Sequence, residues 1–362
     1  MKKLALVAAA ILVLIATATI VVSLGLVAEK NTPATAGPTV AEQLPAAPSS
    51  IEGVYVLPDD GPAPLIEELD AARSSISIEI YLLTDDDVIG ALFRARDRGV
   101  VVRVLLEKDP YGGSNQQPEI FATLNEGGIE VRWNSAAKRF SHVKLIVIDQ
   151  RVALIMNLNL TYSALNKNRE LAVINTDPSL VDHASRIFEN DWQSKDGEIP
   201  GPLTLSPDTS RSTILGLIES AQSTLDIYAE VITDQGFLDA VKKAIDRGVR
   251  VRIIMTQSYG QNMLQEPVGE LVRHGAELHT VANPYIHAKL IMVDGSHAFI
   301  GSQNYTSTSF DQNREVGVVI ASSSNIDRLE RVFERDFAMG IPVSPFAPQL
   351  VAATASPESL RQ

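Results

Sequence analysis

Apolar residues along this chain form short runs that are separated by segments with helical spacing. The stretches 100–106 and 249–255 are predominantly apolar, which is typical of strands buried on both faces of a sheet. Each half of the chain reads as helix, strand, helix, strand, helix and strand before a polar motif. This alternation predicts an α/β fold in which a mixed sheet is flanked by helices.

The ends of two predicted helices carry matching signals. Asp85 and Asp234 precede helical segments and are suited to cap them, because a carboxylate accepts hydrogen bonds from the first free backbone amides. Gly99 and Gly248 follow the same segments, as expected of glycines that terminate helices. The two helices therefore occupy equivalent places in the two halves.

The two halves are copies of one unit. The stretch 72–78 matches 221–227, and 97–100 matches 246–249. Two such lobes are expected to pack face to face around a pseudo-twofold axis. The predicted organisation begins with a membrane helix or signal peptide (residues 1–28) and a disordered linker (29–50). The first lobe (51–198), the second lobe (199–345) and a C-terminal tail (346–362) follow.

The N-terminus has the pattern of a membrane anchor. Lys2 and Lys3 precede a charge-free apolar run over residues 4–27, which is long enough to span a bilayer. The positive end is expected to stay in the cytoplasm, which predicts an extracytoplasmic location for the rest of the chain. Residues 16–18, Ala-Thr-Ala, leave open a cleaved signal peptide and secretion.

Composition narrows the classes of function. The 362 residues include no cysteine, which excludes disulfides and thiolate metal sites. The net charge of −13 argues against a non-specific nucleic-acid binder, since such a protein needs a basic surface. The hydrophobic fraction of 45% is enough for a sizeable core.

One polar motif occurs in both halves at the same spacing. Its members in the first half are His142, Lys144, Asp149, Asn159 and Glu170. Its members in the second half are His287, Lys289, Asp294, Asn304 and Glu315. Residues i and i+2 of a strand face one side of a sheet, so each histidine points the same way as its lysine. The glutamates open another strand and are placed to fix a histidine tautomer by a hydrogen bond.

The two copies together suit phosphoryl transfer. Two ammonium groups and two side-chain amides can stabilise a phosphate in a five-coordinate transition state. Two histidines can serve as a nucleophile and a general acid. No acidic cluster in the sequence has metal-ligand spacing, so we expect metal-free chemistry through a phosphohistidine, without a cofactor. Because one chain carries both copies, we also expect a competent monomer.

The two aspartates of the motif fit a structural role on geometry. Asp149 and Asp294 lie seven residues after their histidines, an odd number, and should therefore face away from the histidine–lysine pairs. The pairs 149–150 and 294–295 also sit where hairpin turns are expected.

The repeated motif resembles the signature of the phospholipase D superfamily, His-x-Lys-x4-Asp-x6-Gly-Ser-x-Asn. The residues that match it in full are His287, Lys289, Asp294, Gly301, Ser302 and Asn304. The resemblance extends over residues 51–340 and implies the two-lobed fold of that family. It implies that His142 attacks phosphorus and that His287 protonates the leaving alcohol. It also implies that Asp149, Asp294 and Ser302 belong to the active motif.

The first copy departs from this signature at two positions. Met156 and Asn157 stand where glycine and serine are expected. Glycine would let the backbone approach a ligand, whereas Met156 adds bulk. Asn157 can still donate a hydrogen bond in place of serine. We therefore expect activity to survive with a narrowed or altered substrate range.

Several functions remain open on the sequence alone. The resemblance and the membrane anchor favour a phospholipase D that hydrolyses glycerophospholipids or exchanges their head groups. A nuclease acting outside the cytoplasm and a cardiolipin-synthase-like phosphatidyltransferase are alternatives within the superfamily. A non-enzymatic binding module tethered to the membrane is the remaining alternative.

Overall fold

The first half of the chain builds a mixed sheet of seven strands. The computed structural model describes residues 51–111, 116–135, 138–257, 264 and 266–345. The strands of this half are β1 (Ile51–Leu57), β2 (Ser75–Ile80), β3 (Val101–Leu106), β4 (Glu130–Trp133), β5 (Lys144–Ile148), β6 (Val152–Met156) and β7 (Asn168–Asn175). The helices are α1 (Ala63–Ala71), α2 (Asp86–Asp97), α3 (Gln117–Glu126), α4 (Tyr162–Asn166) and α5 (Pro178–Trp192). The strand order is β1-β7-β6-β5-β2-β3-β4, in which only β2, β3 and β4 run parallel.

The second half repeats this arrangement. Its strands are β8 (Thr204–Ser206), β9 (Thr224–Tyr228), β10 (Arg250–Thr256), β11 (Glu277–Val281), β12 (Tyr285–Ile286), β13 (Leu290–Val293), β14 (His297–Gly301), β15 (Glu315–Ile320) and β16 (Ile341–Pro342). Its helices are α6 (Ser210–Ser220), α7 (Gln235–Asp246), α8 (Val268–His274), α9 (Ser307–Asp311) and α10 (Ser323–Met339). The strand order is β16-β11-β10-β9-β13-β14-β15-β8, while β12 joins the first sheet beside β7. The predicted α/β fold with two lobes is confirmed.

The predicted helix caps are present. The Asp85 carboxylate accepts hydrogen bonds from two backbone amides in the first turn of α2. The Asp234 carboxylate accepts one from the amide of Phe237 in α7, at 2.9 Å. Gly99 and Gly248 follow the two helices with φ of +88°, a conformation that a side chain would strain. These short local signals were sufficient to place both helices.

The two sheets share a central apolar core. It includes Leu145 and Val173 from the first sheet and Leu290 and Val318 from the second. Strand β6 contacts β14 and β15 directly across this core. The opposite face of each sheet packs on the helices of its own lobe. Both faces of each sheet are thus covered, which explains why the central strands are apolar throughout.

Two ion pairs cross between the lobes in a reciprocal way. Arg169 of the first lobe binds Asp336 of the second through Nε and Nη2, at 2.6 and 3.0 Å. Arg314 of the second lobe binds Asp191 of the first through Nε, at 2.9 Å. The same contact made in both directions is what a pseudo-twofold relation between the lobes requires.

Part of the predicted organisation lies outside the described residues. This applies to the N-terminal membrane segment, the linker and the C-terminal tail. Among the residues that the structure describes, no helix is long and apolar enough to cross a bilayer.

Candidate active site

Each histidine–lysine pair sits at the start of a central strand. Lys144 opens β5, and Lys289 directly precedes β13. The ammonium of Lys144 donates to the backbone oxygen of His142 at 2.9 Å, and that of Lys289 donates to the backbone oxygen of His287 at 2.7 Å. Both lysines are fully buried. Because an ammonium has three donors, each lysine is fixed beside its histidine with donors left for other partners.

Backbone pairing between the lobes brings the two motifs together. The amide of His142 donates to the backbone oxygen of Arg314 at 2.8 Å, and the amide of His287 donates to that of Arg169 at 3.2 Å. The segment at each histidine therefore pairs with the start of a strand in the other lobe. These strands are β15, which begins at Glu315 directly after Arg314, and β7, with Arg169 and Glu170. Both histidines lie at this seam, where each is mostly buried.

The glutamates of the motif bind the histidines of the opposite lobe. Oε2 of Glu315 lies 2.8 Å from Nδ1 of His142, and Oε2 of Glu170 lies 2.7 Å from Nδ1 of His287. A carboxylate at Nδ1 holds the proton on that nitrogen and leaves Nε2 as the reactive atom. The sequence predicted that these glutamates fix a tautomer, but it gave no sign that the pairs are exchanged between lobes.

Side chains from the same lobe orient each glutamate. Glu315 accepts hydrogen bonds through Oε1 from Asn313 at 3.0 Å and from the Ser309 hydroxyl at 2.8 Å. Glu170 accepts one through Oε1 from Asn168 at 3.2 Å. The first half has alanine at the place of Ser309. The carboxylate that serves His142 is therefore held by one more donor than the carboxylate that serves His287.

Burial sets the charge of the first histidine–lysine pair. It lowers the pKa of His142 to about 4, with help from Lys144 and Lys289 and against the opposing effect of Glu315. Burial also lowers the pKa of Lys144 to about 7. At neutral pH His142 is therefore a neutral imidazole with a free lone pair on Nε2, the form that can act as a nucleophile.

The second histidine–lysine pair has a carboxylate that the first pair lacks. Glu230 accepts a hydrogen bond from Lys289 at 2.8 Å, and the same oxygen lies 3.5 Å from Nε2 of His287. At the equivalent place in the first half stands Tyr81, whose ring lies 4.6 Å from that of His142 in an edge-on contact. Both ring nitrogens of His287 thus face carboxylates, whereas only one nitrogen of His142 does.

Glu230 was missed in the sequence, although an alignment of the two halves contains a signal for it. A glutamate and a tyrosine exchange places at the ends of β2 and β9, where Glu79 and Tyr81 correspond to Tyr228 and Glu230. Glu79 is buried, which raises its pKa to about 8. Tyr228 donates to Asp336 at 2.7 Å. The exchange therefore places the carboxyl group inside the fold in the first half and at the site in the second half.

The two asparagines of the motif occupy equivalent places. Asn159 and Asn304 follow β6 and β14, and the residue after each is hydrogen-bonded to the segment that carries Tyr81 or Glu230. In the described part of the chain, Oδ1 of each asparagine is buried without a hydrogen-bond partner. The same orphan acceptor in both halves suits a pair of amides kept for a ligand.

The structure places the two aspartates of the motif away from the histidines. Asp149 accepts hydrogen bonds from the backbone amides of residues 73–75, and Asp294 accepts them from the amides of residues 222–224. Asp149 follows the end of β5 opposite Lys144, about 17 Å along a strand that rises about 3.3 Å per residue. Both aspartates open tight turns with positive φ. Their contacts hold a turn, which corrects their inclusion among the reacting residues.

Ser302 and its counterpart Asn157 likewise act on the fold. The Ser302 hydroxyl accepts from the amide of Val316 at 3.1 Å, and Oδ1 of Asn157 accepts from the amide of Leu171 at 2.8 Å. Each residue is buried and ties its own strand segment to the neighbouring strand. Inclusion of Ser302 among the reacting residues is corrected accordingly. Asn157 replaces serine as an acceptor, not as the donor that the sequence suggested.

The other unusual position of the first copy lies in the core. Met156 is fully buried among the apolar side chains between the first sheet and its helices. A Cβ atom at Gly301 would lie 2.3 Å from Gln303 Oε1 and 2.8 Å from the ring of Phe299. In the first half Leu158 and Leu154 stand at the places of Gln303 and Phe299. The difference between Met156 and Gly301 therefore changes the packing of the core. The expected effect on substrate range stays a prediction.

Replacing Met156 with glycine is therefore expected to weaken the fold more than the chemistry. Removal of a fully buried side chain of this size costs about 2–5 kcal/mol in free energy of unfolding. Urea unfolding of Met156→Gly measures that loss, and the volume-conserving control Met156→Leu should lose less than about 1.5 kcal/mol. If Met156→Gly kept its stability but changed its substrate preference, Met156 would act at the site and not in packing.

A comparison with known families decides the relationship. Residues 65–192 and 214–337 both match the family described as cardiolipin synthase, PLD-like domain. Together these matches cover more than half of the chain. The chain belongs to the phospholipase D superfamily. The resemblance inferred from the repeated motif is thereby confirmed.

Curated relatives of this phospholipase D superfamily member include cardiolipin synthases. Cardiolipin synthase 2 of Bacillus cereus is 26% identical over 318 residues, which cover 75% of this chain and 62% of the relative. The cardiolipin synthase of Listeria innocua is 24% identical over 328 residues, which cover 78% of this chain and 67% of the relative. The chain thus matches less than two thirds of the Bacillus relative's length.

A solved structure shares the two-lobed fold. The phosphatidylserine synthase of Haemophilus influenzae superposes with a TM-score of 0.65 and 13% sequence identity, over 84% of this chain and 91% of that protein. At this identity the likeness concerns the fold alone.

Proposed function

We propose that the protein is a phosphatidyltransferase that acts on glycerophospholipids through a phosphohistidine intermediate. The observation that carries this proposal is the unequal environment of two facing histidines. His142 is neutral with Nε2 free, as a nucleophile must be. His287 has a carboxylate at each ring nitrogen, an arrangement suited to an imidazolium that donates a proton.

The first half of the reaction transfers the phosphatidyl group to the enzyme. Nε2 of His142 attacks phosphorus, and the bond from phosphorus to the head-group oxygen breaks. The proton on Nε2 of His287 goes to that oxygen, which leaves as a free alcohol. Lys144 and Lys289 stabilise the negative charge on the phosphoryl oxygens in the five-coordinate transition state.

The second half transfers the group to an acceptor alcohol. His287, now neutral at Nε2, takes the proton from the acceptor hydroxyl. The acceptor oxygen attacks phosphorus, the bond to His142 breaks, and a new phosphodiester leaves. Both histidines return to their starting states, so the cycle needs no other reactant.

We favour an alcohol over water as the acceptor because the curated relatives are named as synthases. The matched relatives are cardiolipin synthases, and cardiolipin consists of two phosphatidyl groups joined by one glycerol. We therefore place head-group transfer ahead of the hydrolysis that the sequence favoured. The proposal includes the membrane anchor expected at residues 4–27, since it would hold the site near a lipid surface outside the cytoplasm.

A product analysis tests the proposal. Full-length protein in mixed micelles is incubated with phosphatidylglycerol, phosphatidylcholine or single-stranded DNA, with and without EDTA. We expect cardiolipin and free glycerol in equal amounts from phosphatidylglycerol, in the presence of EDTA as well. Phosphatidate without a transfer product would favour a hydrolase, and nicked DNA without lipid turnover would favour a nuclease. No turnover of any substrate would favour a binding module.

The pH dependence of kcat/KM follows from the two shifted groups in the first half. Because burial lowers the pKa of His142 to about 4, the nucleophile should stay neutral down to about that pH and lose activity only below it. Because burial lowers the pKa of Lys144 to about 7, phosphate binding should weaken as the pH rises through 7. Initial rates on a soluble phosphodiester between pH 3.5 and 9 measure both limbs. An acid limb centred near the ordinary histidine value of about 6.5 would contradict this assignment of His142.

A further inference from the structure

Glu230 has a place in the site that phosphate binding alone does not explain. Its carboxylate contacts Lys289 at 2.8 Å and His287 Nε2 at 3.5 Å, and the Tyr285 hydroxyl donates to it at 3.4 Å. Although burial alone would raise the pKa of Glu230, Lys289 and His287 hold it well below the usual range. An ionised carboxylate thus stands beside the atoms that would bind a negatively charged substrate.

Glu230 changes the charge of the site by one unit. The ammonium groups of the site belong to Lys144 and Lys289. Three carboxylates lie beside the histidines and lysines, those of Glu170, Glu230 and Glu315. Glu170 and Glu315 each bind a histidine through Nδ1, so Glu230 is the carboxylate that adds a further negative charge beside Lys289. The counterpart of Glu230 in the first half is Tyr81, and burial raises the pKa of that phenol to about 12, so it adds no charge.

A fixed carboxylate beside the phosphate position discriminates between phosphate groups by their charge. A phosphodiester carries one negative charge, whereas a phosphomonoester near neutral pH carries nearly two. Coulomb energy is proportional to the ligand charge, so a fixed negative group disfavours the dianion twice as strongly as the monoanion. The penalty is large here because Glu230 is mostly shielded from water.

We propose that Glu230 makes the site selective for monoanionic phosphodiesters over dianionic phosphate monoesters. This inference rests on the proposed transfer function and deepens it. The donor and product of transfer are both diesters, while hydrolysis gives a monoester. Glu230 therefore favours the diesters that enter and leave a transfer cycle and speeds the release of any monoester formed by water.

Sulfate and methyl sulfate provide a test with fixed ligand charges. Both are tetrahedral anions, with charges of −2 and −1 that do not change between pH 5 and 8. Full-length wild-type protein and Glu230→Gln are titrated with each anion at pH 6, below the pKa of Lys144, at constant ionic strength. Dissociation constants are obtained from the rise in Tm. Glu126→Gln removes the same charge from an exposed place on α3 and serves as the matched control.

We expect Glu230→Gln to bind both anions more tightly than wild type. The logarithm of this gain in affinity should be twice as large for sulfate as for methyl sulfate. Glu230→Gln should bind methyl sulfate about tenfold and sulfate about a hundredfold more tightly than wild type, while Glu126→Gln should change neither. Glu230→Tyr, which copies the first half, should reproduce the pattern. Equal gains for both anions, or no gain in either Glu230 variant, would overturn the proposal. The binding of these anions does not require turnover. The test therefore gives a result for Glu230 even if the protein hydrolyses lipids or is inactive, and its failure is distinct from failure of the proposed transfer function.

Discussion

Replacing His142 with asparagine is expected to lower kcat/KM for phosphodiesters by about 10⁶-fold, the size of loss seen when a covalent nucleophile is removed. Asparagine keeps a polar side chain of similar reach but offers no lone pair that can attack phosphorus. The other histidine at the seam, His287, has a carboxylate beside each ring nitrogen and is assigned the proton transfer. The measurement is turnover of a soluble aryl phosphodiester, together with acid-quench trapping of the labelled phosphoenzyme.

His287→Asn provides the comparison that separates the two roles. An aryl leaving group departs without a proton, so this variant should still label His142 but should release the phosphoryl group slowly. With an alkyl leaving group, labelling itself should fail, because nothing protonates the alkoxide. Trapped phosphoenzyme in His142→Asn but not in His287→Asn would reverse the assignment of nucleophile and acid.

The fold was predictable because its signals are local and occur twice. The caps Asp85 and Asp234 and the glycines after their helices depend on contacts within one turn, which sequence spacing reports directly. The odd spacing from histidine to Asp149 predicted that this aspartate faces away from the site, and its carboxylate indeed holds the amides of residues 73–75.

The partners within the site were not predictable in the same way. Pairing of Glu315 with His142 and of Glu170 with His287 depends on strand pairing between lobes, which no spacing inside one lobe encodes. The duplication predicted that the two motifs meet. It did not predict which copy of the glutamate serves which histidine.

Differences between the copies also needed the structure for their interpretation. Met156 in place of glycine looked like a change in the cleft, but its side chain is fully buried among apolar side chains of the core. The exchange of Tyr81 and Glu230 carried no prediction, and in the structure it places a carboxylate beside Lys289 and His287. Whether a difference between the copies affects function therefore depends on where its side chain lies, in the core or at the site.

Replacing Asp336 with asparagine is expected to cost about 3–5 kcal/mol in free energy of unfolding, because it leaves a buried guanidinium without its main counter-charge. Asp336 is fully buried and accepts two hydrogen bonds from Arg169 and one from Tyr228. The second carboxylate near Arg169 belongs to Asp59, which is about one third exposed and cannot replace a buried partner. The backbone oxygen of Arg169 also receives the amide of His287, so the same substitution should loosen the catalytic seam.

Two further aspartates turn this expectation into a graded series in urea unfolding. Asp191→Asn should cost less than Asp336→Asn, because Asp191 is about 10% exposed and accepts one hydrogen bond from Arg314, whereas Asp336 is fully buried and accepts two from Arg169 and one from Tyr228. Asp182→Asn breaks an exposed pair on α5 and should cost less than about 1 kcal/mol. If Asp336→Asn unfolded at the same urea concentration as Asp182→Asn, the inter-lobe ion pair would not be what holds the lobes in register. The position of His287 would then depend on the apolar core between the sheets and on the backbone pairing of β12 with β7.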